Sequence, residues 1–539
     1  MKKDLYLLVA LMTLVSFFFL VACQKEGDGK ILFTATIETP STQSKTSITN
    51  TGVMTWLNGD QIAVFDNGGS GVVSHLTATP TGNHKTADFT LVSGYEEPSD
   101  GPYYAIYPAS IATAYNTITL PTEYTYDDSR FDAPMYAYST NNKLVFKNLC
   151  GVMQLNLTTN KSINSIVITT DQAITGEFSL DYNGGSPNMI TTQNNSNTLT
   201  INFDNSVDCS GTGQSFYVYL PIGNYSEMSI TFYTTDASYC TKSLQSGQTF
   251  IVGRNTLNPL NFNNPQFRPI GSKGGLFTIN ENGDQVWFSQ GNLQYIGSAS
   301  IPYWKFADNQ YDYFGLITGQ NSTATNVDRD LFGWGTSGWN NGTSAYEPWC
   351  TQVNGYLNEE IGLSSIFNEA DWAWHNAIKN GGNAIHQWRT LTSDEWEYLL
   401  NSREGASTKR GTGNINGRGG LIILPDNWIM LNDDNNSFNS DMVSTNSYGG
   451  ITSHPDWTRN NYTLSQWLEM EKAGAIFLPV PGVRTTTNIG SIESYGYYWT
   501  SSVLNNSPCC LRFYFYEYNV SNFSYWYKGL PVRPVRDNK

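Results

Sequence analysis

From Ile31 to Phe262 the chain sets apolar and polar side chains in alternation over runs of five to eight residues, each closed by Asn, Gly, Asp or Pro. A period of two puts successive side chains on opposite faces of an extended strand. The clearest runs are Ile31–Glu38, Gln61–Phe65, Thr86–Val92, Val152–Thr158, Thr198–Phe203, Phe216–Leu220 and Met228–Tyr233. No helical period of any length interrupts them, which predicts an all-β region built as sandwiches. Tyr103-Tyr104-Ala105-Ile106-Tyr107-Pro108 is echoed by Phe216-Tyr217-Val218-Tyr219-Leu220-Pro221, in both cases an aromatic strand stopped by Pro. The echo divides the region into two sandwiches, 31–148 and 149–262, that meet near Asn148.

Pro259, Pro265, Pro269, Gly271, Gly274 and Gly275 then break the pattern, and residues 263–275 read as a linker. Beyond it tryptophans become frequent and two helix starts appear. Thr392-Ser393-Asp394-Glu395 is a capping box ahead of Trp396, Leu399 and Leu400, because hydroxyl and carboxylate can each take the other's free N–H. Thr463-Leu464-Ser465-Gln466 does the same ahead of Trp467, Leu468 and Met470, with Gly474 as a stop. Strand-like runs follow at Gly420–Leu424 and Ala475–Val480, so 276–539 reads as an α+β domain with irregular Gly-rich and Asn-rich loops.

Its tail is the most aromatic stretch. Eight of the chain's 33 Tyr lie between Tyr495 and Tyr527, where an even spread would put about two. Leu511 to Tyr518 alternates as a strand, with Leu511, Phe513 and Phe515 on a core face and Arg512, Tyr514, Tyr516 and Tyr518 on the other. Tyrosines beside an Arg supply large amphipathic contact area at low rotamer cost, as binding surfaces do. Packing under a neighbouring loop would equally account for them.

The N-terminus adds an address. Lys2 and Lys3 precede an apolar run from Leu5 to Val21, followed by Ala22-Cys23, and a small residue before a lone Cys is the pattern of a lipoprotein signal. Residues 1–22 are then a signal peptide, Cys23 the lipidated first residue, and 23–30 a tether. Gln24, Lys25, Glu26 and Asp28 resemble the short charged signal that sends lipoproteins of one Gram-negative group to the outer face of the outer membrane. Loss of Lys2, Lys3 and Asp4 takes the net charge from −16 to −17, which excludes nucleic acid as a natural partner because phosphates need a basic face. Of seven Cys, Cys150, Cys209 and Cys240 precede the linker and Cys350, Cys509 and Cys510 follow it, an odd number in each half that argues against a full disulfide framework. Cys209 with Cys240 is the first pair to test.

Two resemblances follow from these residues. Lys45-Thr46-Ser47, Met54-Thr55-Trp56, Gly59-Asp60-Gln61-Ile62-Ala63-Val64-Phe65, Ala133-Pro134-Met135-Tyr136-Ala137, Phe146-Lys147-Asn148-Leu149 and Gly253-Arg254-Asn255 resemble the fimbrillin-like lipoproteins over most of 31–262. That resemblance implies tandem transthyretin-like β-sandwiches and a pilus assembled by strand donation between subunits, a form of β-augmentation. It also implies removal of the first strand by an Arg-specific protease. The first Arg after the signal is Arg130, so cleavage would fall at Lys30 or Lys45, or to another protease. Trp388-Arg389-Thr390-Leu391-Thr392, Glu395-Trp396-Glu397-Tyr398-Leu399, Tyr498-Trp499-Thr500-Ser501-Ser502 and Leu530-Pro531-Val532-Arg533-Pro534-Val535-Arg536 resemble the C-type-lectin-like superfold. They are most similar to its bacterial branch of formylglycine-generating-enzyme-like, major paralogous and retroelement-diversified domains. The implied fold class is mainly β, two tandem sandwiches followed by an α+β lectin-like domain. The implied ligand-binding positions are Asn505, Asn506, Arg512, Tyr514, Tyr516, Tyr518, Asn519, Asn522, Ser524, Tyr525 and Trp526.

Catalytic patterns are weak beside this. Cys509 and Cys510 sit where the superfold's oxidases keep a Cys pair, but adjacent strand residues face apart and do not converge on one metal. The five His are scattered. Gly411-Thr412-Gly413 with Gly417 lacks the helix of a dinucleotide loop, and Glu395 with Glu397 diverges on a helix. The lectin calcium triplet appears only as Glu347-Pro348-Trp349, and Trp has no oxygen for a hard cation. Asp433, Asp434, Asn435, Asn436 and Asp441 read as a solvated turn. No enzyme, cofactor or metal is expected. The expectation is a fimbrial adhesin at a pilus tip, with other subunits, the outer membrane through its lipid, and a host or microbial glycan or protein as partners. The alternatives are a stand-alone outer-membrane lipoprotein that binds carbohydrate or protein, and an oxidase.

Overall fold

The computed structural model describes residues 31–38, 55–69, 73–182, 187–315, 317, 320–339, 346–350, 370–428, 438–440, 442–444, 457–486 and 488–538. Cys23, the signal and tether, Lys45-Thr46-Ser47, Met54, His454, and Asp433, Asp434, Asn435, Asn436 and Asp441 lie outside these. The chain is mainly β and forms two compact units, one of residues 1–235 and 240–265 and one of residues 236–239 and 266–539.

In the first unit, strands β1 (Phe33–Ile37), β2 (Gln61–Phe65), β3 (Val73–Thr81), β4 (Thr86–Leu91) and β5 (Tyr103–Tyr107) come first. The short strands β6 (Ala112–Ala114), β7 (Thr117–Leu120) and β8 (Glu123–Thr125) follow, then β9 (Met135–Ser139) and β10 (Lys143–Asn148). Seven of them close into a ring in the order β1, β10, β9, β5, β2, β3, β4. Alternation drives this closure: Phe33, Ala35, Ile62, Val64, Phe89, Ala105, Leu144 and Phe146 all point inward, around Trp56, whose ring meets Phe89, Tyr107 and Phe146 edge-on at 5.1, 5.2 and 5.3 Å. Strands β11 (Cys150–Thr158), β12 (Ser162–Thr170), β13 (Thr175–Asp181), β14 (Asn188–Ser196), β15 (Thr198–Asp208), β16 (Gln214–Pro221), β17 (Met228–Thr234) and β18 (Leu257–Asn263) build the remaining sheets.

The two halves of this unit share strands. β7 pairs antiparallel with β13, and β8 runs parallel to β15. Residues 112–125 therefore leave the ring and complete sheets made by residues that follow it, where the echo in the sequence suggests a simple division near Asn148. The six cysteines of the described residues are buried and none is joined in a disulfide, so Cys209 and Cys240 stand as separate thiols.

In the second unit, β19 (Ser272–Thr278) begins within the expected linker. Its partner β20 (Gln285–Ser289) pairs on its other edge with β29 (Val535–Asp537). Between them in sequence come β21 (Leu293–Ile296), β22 (Tyr303–Phe306), β23 (Arg410–Ile415), β24 (Arg418–Ile423), β25 (Ile476–Pro479), β26 (Gly496–Leu504), β27 (Ser507–Phe513) and β28 (Glu517–Phe523). Helices α1 (Trp372–His375), α2 (Ser393–Glu397) and α3 (Leu464–Lys472) are short, and both capping boxes form. Gly413 lies in β23 because a Cβ there would stand 2.4 Å from the carbonyl oxygen of Asn460. No described helix is long and apolar enough to cross a membrane.

Candidate functional site

The motifs shared with lectin-like domains hold the frame of the second unit. Arg389 donates to both oxygens of Glu395 at 2.8 and 2.9 Å and to Asp537 at 2.9 Å, which ties the first turn of α2 to β29. Planar guanidinium and carboxylate match bidentately, so this pair fixes geometry as well as charge. Thr390 N donates to the buried Asp371, which also caps α1 through Ala373 N. Arg533 is fully enclosed and bonds Gln310 and Asn292, while Asn292 donates to Tyr498 Oη at 3.0 Å. Trp499 donates from its ring to Phe332 O at 2.7 Å. Arg389, Thr390, Tyr498, Trp499 and Arg533 thus serve the frame through side-chain and backbone bonds within the unit.

On that frame stand β26, β27 and β28, antiparallel neighbours in one sheet. The expected row of exposed tyrosines is not there. β27 ends at Phe513, the chain reverses through Tyr514–Tyr516, and Phe513 pairs with Tyr518 across the turn. Residues directly opposite one another in a sheet share a face, so Tyr518 joins Phe513 and Leu511 in the core rather than opposing them. Tyr518 is 0% exposed, with its hydroxyl on Asn401 and its ring beneath the Arg410 guanidinium at 5.0 Å. Tyr514 is 2% exposed and stacks on Tyr495 at 4.8 Å. The opposite face is also covered: Arg512 lies buried 3.6 Å from Glu517, and Asn519 and Asn522 are buried beside it. Arg512, Tyr514, Tyr518, Asn519 and Asn522 therefore offer no free surface. Tyr516, Ser524 and Trp526 are half-buried, and Trp526 packs edge-on against Trp334 at 5.9 Å.

What remains open is the far end of the sheet. Leu504 and Ser507 pair across a two-residue turn whose members, Asn505 and Asn506, have φ of 49° and 55°. Two consecutive left-handed residues make the turn that suits the twist of a hairpin, and Asn tolerates that backbone better than most side chains. Both are exposed, and the turn alone explains them. Cys509 pairs with Phe523, and Ser524 N donates to Pro508 O at 3.0 Å, which brings Phe523 and Tyr525 alongside the turn. Leu504, Phe523 and Tyr525 are 44%, 50% and 61% exposed. Tyr525 stacks on Tyr527 at 5.5 Å, with the Lys528 ammonium 5.3 Å from its ring. The apex is thus an apolar and aromatic patch edged by a cation and two amides, on strands whose other ends are locked in the core. Sequence reasoning missed Leu504 and Phe523; register with Asn505-Asn506 as a turn would have found them.

Other candidate chemistry separates in space or is absorbed by packing. Cys509 faces the side of Phe523 and Cys510 the side of Asn522, so the two thiols point apart. Burial lifts both, Cys510 to about 12, where a thiolate nucleophile is not formed at neutral pH. Glu347 closes a turn through its carbonyl to Cys350 N, and Trp349 lies against Tyr295 at 6.5 Å. Arg130 is held by Asp60 at 2.9 Å and Asp132 at 2.7 Å.

No protein-family model and no curated protein matches this chain. Among solved structures it is similar to a proposed cell adhesion protein from Bacteroides uniformis, with 16% identity over 45% of this chain and 99% of the other at a TM-score of 0.28. It is also similar to a fimbrial protein from Bacteroides ovatus, with 12% identity over 46% and 53% of the two chains at a TM-score of 0.22. A third is the tip fimbrial protein Mfa3 from Porphyromonas gingivalis, with 11% identity over 40% and 82% at a TM-score of 0.21.

Proposed function

We propose that this chain is a surface adhesin of the fimbrial kind, delivered as a lipoprotein through Cys23, that binds a host or microbial glycan or protein through its second unit. The apex carries this role: Leu504, Phe523 and Tyr525 are exposed apolar side chains near one end of a sheet whose strands are otherwise largely buried. Water-exposed aromatic groups on a rigid support are the residue types that dominate recognition surfaces. Of the eleven positions implied by the lectin-like resemblance, Asn505, Asn506, Tyr516, Ser524, Tyr525 and Trp526 remain candidates for contact, with Leu504 and Phe523 added.

A tip position accords with the fate of β29, which is consumed between β20 and Arg389 within its own unit and is not free to be given to a neighbour. A second function, a free-standing binding lipoprotein, is favoured by the grip on β1. Glu38, just past its end, accepts from Asn148 N at 2.8 Å and pairs with Arg254, so an uncleaved chain keeps its first strand.

The test is adhesion of the full chain to host cell monolayers, before and after Leu504, Phe523 and Tyr525 are changed together to Ser. Adhesion is expected to fall about tenfold or more with the melting temperature unchanged, since a few such residues carry most of a recognition energy. Full adhesion by the folded triple variant would remove the apex from the function.

A further inference from the structure

A cavity of about 510 Å³ opens in the second unit, and none of its lining residues belongs to the apex. Its floor is set by a buried amide. Gln294 on β21 is 5% exposed, lines the cavity, and its side chain meets no hydrogen-bond partner among the described residues. An amide turned toward a cavity needs a polar group to meet it, and a ligand that fills the space has to supply one. The amide offers a donor and an acceptor at once.

The walls supply the rest of a pattern. Asp312 takes the backbone and side-chain N–H groups of Asn309 on Oδ2 at 3.0 and 2.9 Å, and Asp328 takes Ser298 N on Oδ1 at 3.0 Å. The second oxygen of each carboxylate has no bond from a described residue. Arg418 is fixed over the Tyr313 ring at 4.3 Å and donates to its hydroxyl at 2.7 Å, while Tyr313 donates to Glu493. Tyr311 lines the same space half-exposed. Lys305 is already held by both oxygens of Asp308 at 3.1 and 2.9 Å.

An anion does not fit, because Asp308, Asp312 and Asp328 surround the opening and both cations are engaged. An apolar ligand would leave the Gln294 amide unmet. Neighbouring hydroxyls each donate and accept, which answers carboxylate oxygens beside an amide, and the C–H face of a sugar ring covers an aromatic ring. The size is within the range of small-molecule sites. We infer that this cavity binds a neutral saccharide of one or two rings, with Gln294, Asp312 and Asp328 meeting its hydroxyls and Tyr311 its ring face. The site is independent of the apex and does not rest on its role.

The full chain is screened on an array of neutral glycans, and the strongest is titrated by calorimetry against the native protein, Gln294→Leu, Tyr311→Ala, and Phe523→Ser with Tyr525→Ser. Each cavity substitution is expected to weaken binding about tenfold or more, while the apex pair leaves it within about twofold. Tyr311→Ala, at a half-exposed position, decides the matter should Gln294→Leu lower the melting temperature. Capture of no neutral glycan, or affinity unchanged in the folded cavity variants, overturns the site. Loss of affinity in the apex variant alone would overturn it too, and would move the saccharide to the apex.

Discussion

Asp330 is 1% exposed, and its oxygens are taken by Phe314 N at 2.7 Å and Asn321 Nδ2 at 2.8 Å. Asn321 in turn accepts from the backbone of Asp330 and Leu331 at 2.9 and 3.1 Å, so the two side chains brace one strand of backbone against the loop that reaches the cavity. Neutral donors solvate a carboxylate less well than water does, and burial raises its pKa to about 6. The folded state therefore binds this proton more tightly than the unfolded chain. Stability contributed by the group is whole below the ordinary carboxylate range and falls as pH rises from about 4 through 6, by about 3 kcal/mol for a shift of this size. Asp371, also raised by burial, has the same sign. The difference in unfolding free energy between the native chain and Asp330→Asn isolates the effect, since Asn does not titrate. Of the 15 tryptophans only Trp56 lies outside the second unit, so tryptophan emission follows this transition. A difference that stays flat from pH 4 to pH 6 would show that Asp330 titrates normally. Nothing in the sequence around Asp330 marks it, because its environment comes from Asn321 and Phe314 folding over it.

Elements whose pattern is local were legible in the sequence. Gln61–Phe65 is a strand at the expected bounds, and both capping boxes close because their partners lie three residues apart. The Tyr row failed for two reasons that periodicity cannot carry. Alternation was counted through Tyr514–Tyr516, which is a turn, and an element covered on both faces hides its polar side as well as its apolar one. The glycines and prolines of 263–275 likewise read as a linker, yet Ser272–Thr278 pairs as a strand whose glycines admit close neighbours; a Cβ on Gly275 would meet Gly474 O at 2.5 Å. At the β26–β27 turn the two roles of Asn separate cleanly. Asn506→Gly suits the left-handed backbone and is expected to hold or raise stability, whereas Asn506→Val should cost about 1–2 kcal/mol. Adhesion retained by Asn506→Gly assigns this residue to the turn, and adhesion lost with stability intact assigns it to the ligand.

At the scale of the whole molecule, the question is whether β1 can be exchanged. It lies between two dissimilar edges, antiparallel to β4 and parallel to β10, and buries Phe33, Ala35 and Ile37 in the ring. Asn142 Nδ2 fastens its start through Leu32 O at 2.7 Å, and Phe33 meets Tyr103 edge-on at 5.0 Å. Withdrawing it would bare two rows of backbone groups and the pockets of two large side chains, each worth about 1.5–3 kcal/mol when filled. A ring so opened is a slot for one strand with alternate inward side chains, which is the geometry β-augmentation needs. A chain beginning at residue 39 should melt lower than the native one, and an eight-residue peptide of the sequence Ile31 to Glu38 added in trans should restore the loss. The same peptide with Phe33 and Ile37 changed to Ser should not. The shortened chain should remain monomeric by light scattering, because β29, enclosed by β20, is no more available to a second copy than to any other acceptor. Self-assembly of the shortened chain would contradict the tip position, and failure of the native peptide to rescue it would leave β1 a permanent part of the ring and the chain a free-standing lipoprotein.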